Sequence, residues 1–169
     1  QGNAYAQQNI SAINNGLYNN RIINGDMRLS AYYYQYGSTS NTFSLSNLIG
    51  TINPVDRFYV YGSTGGKLSA TVSQDAPTGF NKSLRITSLS NYASVSNEQY
   101  GVYQTIEGFN IADLSFGTAT PQTVSLSFWS KSTVTGTYSI RLANGGLNRS
   151  YIQNYSLPTA NTWTYVSAS

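Results

Sequence analysis

The 169-residue chain has no cysteine and no histidine. Without cysteine there is neither a disulfide framework nor a thiolate metal site. Without histidine there is no Ser–His catalytic pair and no imidazole-bound zinc. The lack of cysteine is compatible with assembly in a reducing cytoplasm. Charge is scarce as well, at 9% of residues, against about a quarter in an ordinary soluble domain. The net charge of +3 comes from Lys and Arg scattered singly. No basic cluster forms, which argues against nucleic-acid binding. No apolar run approaches the roughly 20 residues of a membrane helix, and no charged-then-apolar leader opens the chain, so membrane insertion is not expected. The chain begins at Gln1 without Met and stops at Ser169 within a strand-like alternation. It therefore reads as a segment of a longer polypeptide, truncated at the C-terminus.

What is present is apolar enough to fold: hydrophobic residues make up 40%, sufficient for one domain with a core. Ser, Thr, Asn, Gln, Gly and Tyr supply the polar part. Such a surface suits hydrogen bonding to hydroxyl-rich ligands or close packing in an assembly.

The first stretch, residues 1–19, differs from the rest. Ala6, Ile10, Ile13 and Leu17 follow the 4-3-4 spacing of a coiled-coil seam. Two turns are too few to stand alone in water. Three copies packed around an axis would form a trimer neck; the plainer readings are a short helix lying on the domain or an extended linker. Asn14-Asn15-Gly16 ends any helix there.

From residue 20 to 169 the texture is strands and turns. Strands are predicted at 31–36, 55–61, 67–73, 83–89, 97–107, 123–132, 137–142, 150–157 and 162–168, all rich in Tyr, Val, Ile, Thr and Phe. Val124, Leu126 and Phe128 share one face, with Ser125 and Ser127 opposite; Tyr138, Ile140 and Leu142 repeat the pattern. One-sided burial of this kind belongs to antiparallel sheets. Breakers separate the strands, and both Ala143-Asn144-Gly145-Gly146 and the Gly-rich stretch at 62–66 read as hairpin turns. The expected fold is an all-β, antiparallel jelly-roll sandwich preceded by a short helical or extended segment.

Catalytic groups are few. The six carboxylates are Asp26, Asp56, Asp75, Glu98, Glu107 and Asp113, and glycoside hydrolysis requires two of them to face each other across a bond. Asp56 and Arg57, inside an aromatic run, are expected to form a partly buried ion pair that fixes strand register. Calcium is the one cofactor the residues allow, through Asp26, Asp113 and backbone carbonyls. The composition predicts no enzyme.

The aromatic inventory is skewed, with 15 Tyr against 6 Phe and 2 Trp. Tyr32, Tyr33, Tyr34 and Tyr36 form the densest cluster and are the candidates for ligand or subunit contact. About half of the tyrosines are expected to pair across strands instead. Trp129 and Trp163 are expected in the core.

Asn20-Arg21-Ile22-Ile23-Asn24-Gly25-Asp26-Met27-Arg28 followed by Val55-Asp56-Arg57-Phe58 resembles a module of tailed-phage tail fibres and related virion proteins. The segment 124–132, Gly136-Thr137-Tyr138 and Asn161-Thr162-Trp163 are similar to strands of carbohydrate-binding-module-like jelly rolls on such fibres. The likeness implies a virion component assembled in the host cytoplasm, self-associated as a homotrimer and in contact with other virion proteins. It also implies attachment to bacterial surface polysaccharide by weak multivalent glycan binding. The alternative is a purely structural part, such as a capsid-decorating fibre, shaft module or adaptor. A tail-spike-like hydrolase is disfavoured by the scarce carboxylates.

Overall fold

The computed structural model describes residues 20–30, 42–44, 50–64, 67–89 and 97–169, with positions 91, 93 and 95 between them. The seam residues Ala6, Ile10, Ile13 and Leu17, and the cluster Tyr32, Tyr33, Tyr34 and Tyr36, lie outside the described residues. The described strands are β1 (Thr42–Ser44), β2 (Gly50–Val55), β3 (Phe58–Gly62), β4 (Leu68–Ser73), β5 (Ser83–Ser88), β6 (Tyr100–Tyr103), β7 (Leu126–Ser130), β8 (Gly136–Ala143), β9 (Ser150–Leu157) and β10 (Thr164–Ala168). A short 3-10 helix occupies Gly108–Leu114. Every pairing among the described strands is antiparallel, so the described part of the protein is all-β, as the alternation predicted. Two compact units divide the chain, one from residues 1–75 with 81–113 and the other from 76–80 with 114–169.

In the first unit one sheet runs β1-β4-β5 and the other β2-β3-β6. Val60 of β3 and Ala70 of β4 meet in a shared cluster with Ile52, Leu68 and Leu84. Both sheets thus contribute to one apolar core, the arrangement that strands buried on one face require. The stretch expected as a continuous strand at 55–61 is broken. Val55 pairs with Phe58, so Asp56 and Arg57 form a two-residue turn, with Arg57 at φ 74°. β2 itself carries Pro54, which lacks a backbone donor and hides the strand in the sequence. The residue is tolerated because β2 is an edge strand and the register shifts between Ile52 and Val55.

Segment 20–30 clamps this turn. The Asn24 side chain accepts from the Leu29 amide at 3.0 Å and donates to the carbonyls of Leu29 at 2.9 Å and Asp56 at 3.0 Å. The Asp56 amide donates to the Leu29 carbonyl at 3.0 Å. Asn24 sits at φ 57°, a left-handed conformation that asparagine tolerates better than most residues. One residue therefore supplies both the backbone bend and the side-chain bonds that hold an arginine in left-handed space.

The Gly-rich stretch at 62–66 is not a hairpin turn. β3 pairs with β2 and β6, while β4 pairs with β1 and β5, so the stretch connects strands of different sheets. Its polar groups bond to the chain entering β6: the Ser63 amide donates to the Gln99 carbonyl at 3.0 Å and the Gln99 amide to Ser63 Oγ at 2.8 Å. Lys67 Nζ meets Glu98 Oε1 at 2.5 Å, with side-chain exposures of only 15% and 7%. Thr64 Oγ1 also donates to that oxygen at 2.9 Å, and the Val95 amide reaches Oε2 at 3.2 Å. The strand expected at 97–107 is cut to four residues, after which Arg57 holds Glu107 and Arg21 holds Asn110 and Asp113 of the 3-10 helix.

In the second unit β7 pairs with β10 and β8 with β9. The hairpin expected at 143–146 is present, with the Asn144 amide bonded to the Arg149 carbonyl at 3.1 Å and the Leu147 amide to the Asn144 carbonyl at 2.9 Å. Inward rings meet between the pairs. Phe128 of β7 lies edge-on to Tyr155 of β9 at 5.4 Å, and Tyr155 stacks on its cross-strand partner Tyr138 at 5.8 Å. Leu157, Val166 and Ala168 are buried beside them.

Asn24→Ala removes three side-chain hydrogen bonds and is expected to destabilise the fold by about 2–3 kcal/mol, read from urea unfolding; an unchanged midpoint would refute the clamp. The Lys67 hydrogen bond, aided by Thr64 and Val95, lowers Glu98 from 4.5 to about 2. Because the folded state holds Glu98 anionic more firmly than the unfolded chain does, its contribution is complete above pH 4.5 and is lost as pH falls towards 2. Glu98→Gln should flatten that part of the stability–pH profile; an unaltered slope would exclude Glu98 as its source.

Candidate functional site

The two motif segments, 20–28 and 55–58, converge on one polar corner of the first unit. The Ile23 amide donates to Gln104 Oε1 at 2.9 Å, and Gln104 Nε2 returns a bond to the Ile23 carbonyl at 2.9 Å. Arg21 reaches the Asn110 carbonyl and Asp113 Oδ2, both at 2.5 Å. Arg57 donates to both oxygens of Glu107 at 2.6 and 2.7 Å, and Asn110 Nδ2 adds a bond to Oε2 at 3.1 Å. The expected Asp56–Arg57 ion pair is therefore corrected: the partner of Arg57 is Glu107. Adjacent residues in a two-residue turn point away from each other, and the guanidinium reaches across to the residue before the 3-10 helix. Its hydrogen bond is the main cause that lowers the Glu107 carboxyl below the usual range. In this corner the motifs supply the hydrogen bonds and ion pairs that join segment 20–28, the turn at 56–57 and the 3-10 helix with the residue before it.

The calcium candidates are each matched to a cation. Asp26 pairs with Arg28, and Asp113 pairs with Arg21. Among the described residues no three acidic side chains gather into a metal-binding group.

Outside the corner, aromatic faces stand out. On the outer face of β3 and β6, Tyr59 and Tyr103 pair across the strands and stack at 5.1 Å with 15° between the rings. Tyr138 and Tyr155 form a second pair of this kind, so cross-strand pairing does absorb part of the tyrosine excess. A stacked pair covers one face of each ring and leaves less for a ligand.

The outer face of β7 and β10 is different. Leu126, Phe128, Val166 and Ala168 turn inward, so the pleat turns Ser127, Trp129, Tyr165 and Ser167 outward. Trp129 and Tyr165 are directly opposite each other, 40% and 57% exposed. Their rings meet at 60° with centroids 5.3 Å apart, an edge contact that leaves ring face open to solvent. Ser127 and Ser167 pair one step along. At the other end, Lys131 follows β7 and Trp163 precedes β10, with the Lys131 Nζ 5.6 Å from the Trp163 ring centroid.

The core placement expected for Trp129 is thus overturned. The signal for the correct placement was in the sequence: if Val124, Leu126 and Phe128 face inward, an odd-numbered neighbour must face outward. Ring size suggested burial, and parity decided against it. Comparison with family models, curated proteins and solved structures finds no match to this chain.

Trp129→Ser should lower stability by about 1 kcal/mol, the worth of an exposed edge-on ring contact, whereas Leu157→Ala, at a site 2% exposed, should cost about 2–5 kcal/mol. Equal losses in calorimetry would place Trp129 back in the core.

Proposed function

We propose that the chain is an attachment module of a phage virion appendage, a tail-fibre-like jelly roll that binds bacterial surface glycan. Each site binds weakly, and trimerisation supplies avidity. The observation that carries this reading is the Trp129–Tyr165 face. Two solvent-open rings offer apolar area for stacking on the C–H face of a sugar, and Ser127 and Ser167 offer hydroxyl partners beside them. The virion setting is supported by the motifs at 20–28 and 55–58, the same residues that build the polar corner. The composition agrees, since a surface of hydroxyls and amides matches a hydroxyl-rich ligand.

The reading is non-catalytic. A glycosidase acid needs a raised pKa, whereas Glu98 and Glu107 are lowered by Lys67 and Arg57. Asp26 and Asp113 are likewise ion-paired.

A purely structural role is the second reading, favoured by Ile152, an apolar residue of β9 that is 61% exposed and could be covered by a neighbouring subunit. An array of bacterial surface polysaccharides probed with the recombinant chain separates the two. Retention on host polysaccharide, lost in Trp129→Ala with the fold intact, is expected. A chain that binds no glycan on the array serves a structural role instead. The double variant Ile10→Asp, Ile13→Asp is expected to be monomeric by light scattering and to lose retention with its avidity; an unchanged trimer refutes the neck.

A further inference from the structure

Amide side chains fasten the loops of this chain, and among the described residues two asparagines stand directly before a glycine, Asn24-Gly25 and Asn144-Gly145. A third pair, Asn15-Gly16, lies outside the described residues. Glycine has no side chain to shield its amide nitrogen, so that nitrogen can close on the Cγ of the asparagine before it. What each side chain holds decides whether it does. At Asn24, which is half-buried, Nδ2 donates to the carbonyls of Leu29 and Asp56 at 2.9 and 3.0 Å, and Oδ1 accepts from the Leu29 amide at 3.0 Å. Losing Nδ2 takes a donor from two main-chain carbonyls, and turning Cγ towards Gly25 undoes the same three bonds. Gly25 is hemmed in as well, since a Cβ placed on it would lie 3.3 Å from Ile22 Cγ2.

Asn144 differs in what its nitrogen holds. It lies on the exposed loop of the β8–β9 hairpin, and its Nδ2 donates at 2.7 Å to Oδ1 of Asn148, a side chain that water can satisfy instead. Its Oδ1 accepts from the Arg149 amide at 3.1 Å. A donor at that oxygen steadies the negative charge that builds there when Cγ is attacked. A Cβ placed on Gly145 would meet nothing within 4 Å, so the attacking nitrogen has room to move.

We propose that Asn144 is a site of spontaneous deamidation, and that the clamp on Asn24 keeps the same reaction from the other pair. The Gly145 nitrogen gives its proton to hydroxide and bonds to Asn144 Cγ. The Cγ–Nδ2 bond breaks, and Nδ2 leaves as ammonia with a proton taken from water. Water then opens the cyclic imide at either carbonyl carbon, leaving aspartate or isoaspartate. A carboxylate only accepts, so the bond to Asn148 Oδ1 is lost and the hairpin loop must change partners. The product is also an acidic side chain in a unit whose sequence has none.

The test incubates the full chain in mildly alkaline buffer, folded and in urea, and follows its tryptic fragments by mass. Cleavage after Arg21, Arg28, Arg141 and Arg149 places Asn24 in fragment 22–28 and Asn144 in fragment 142–149, both apart from Asn15. In the folded chain, fragment 142–149 should gain the mass of amide-to-acid conversion and split into aspartate and isoaspartate forms. It should do so about tenfold faster than fragment 22–28, the scale of the extra hydrogen bonding at Asn24. In urea the two fragments should convert at like rates. Gly145→Ala, which the open space and backbone angle at Gly145 accommodate, should leave fragment 142–149 unconverted over the same interval. Like rates for the two fragments in the folded chain overturn the proposal, as does a fragment 142–149 that converts in urea but stays intact in the fold. Undiminished conversion in Gly145→Ala places the reaction at Asn148 and overturns it too.

Discussion

A pleated strand gives each side chain one of two faces, and in β7 and β10 this constraint decides what the surface is made of. Leu126, Phe128, Val166 and Ala168 take the inner face, where Leu157 and Tyr155 of β9 also lie. Slipping the register by one residue would turn Trp129 and Tyr165 inward and expose Phe128 and Val166. The apolar contacts of the inner face hold the outer rings in the open, so the exposed aromatic pair is a consequence of core packing. The same logic places Tyr59 and Tyr103 outside, because Val60 between the strands' outer residues belongs to the core.

With so few charges, the chain fixes its loops by amide chemistry. Asn24 binds both the amide and the carbonyl of Leu29, and Gln104 does the same to Ile23. Asn144 accepts from the Arg149 amide and donates to Asn148 in the β8–β9 hairpin. An Asn or Gln side chain carries donor and acceptor together, so it can cap a free backbone end without bringing in a charge to be neutralised. Among the described residues of the first unit four cations come matched: Lys67 with Glu98, Arg57 with Glu107, Arg21 with Asp113 and Arg28 with Asp26.

These two habits explain the division of labour between the units. The first unit holds six acidic and six basic side chains, and its described loops are fastened by ion pairs and amide clamps. The second unit carries Lys131, Arg141 and Arg149 and no acidic side chain.

The class of fold was legible in the sequence, since period-two alternation at 124–128 and 137–142 and the β-branched, Tyr-rich runs suffice to specify antiparallel strands. β9 was anticipated over the very residues it occupies, and β4 and β5 to within one. β2 was not anticipated, because Pro54 argues against a strand wherever the edge position and bulge that excuse it are unknown. The Asp56–Arg57 turn was hidden too, because its stability comes from Asn24 and Glu107, 32 and 50 residues away. Composition determined that reactive groups are scarce and that hydroxyls and amides do most of the polar work. Only the tertiary structure decided which cation meets which acid and which rings reach solvent, because those outcomes depend on contacts between distant segments.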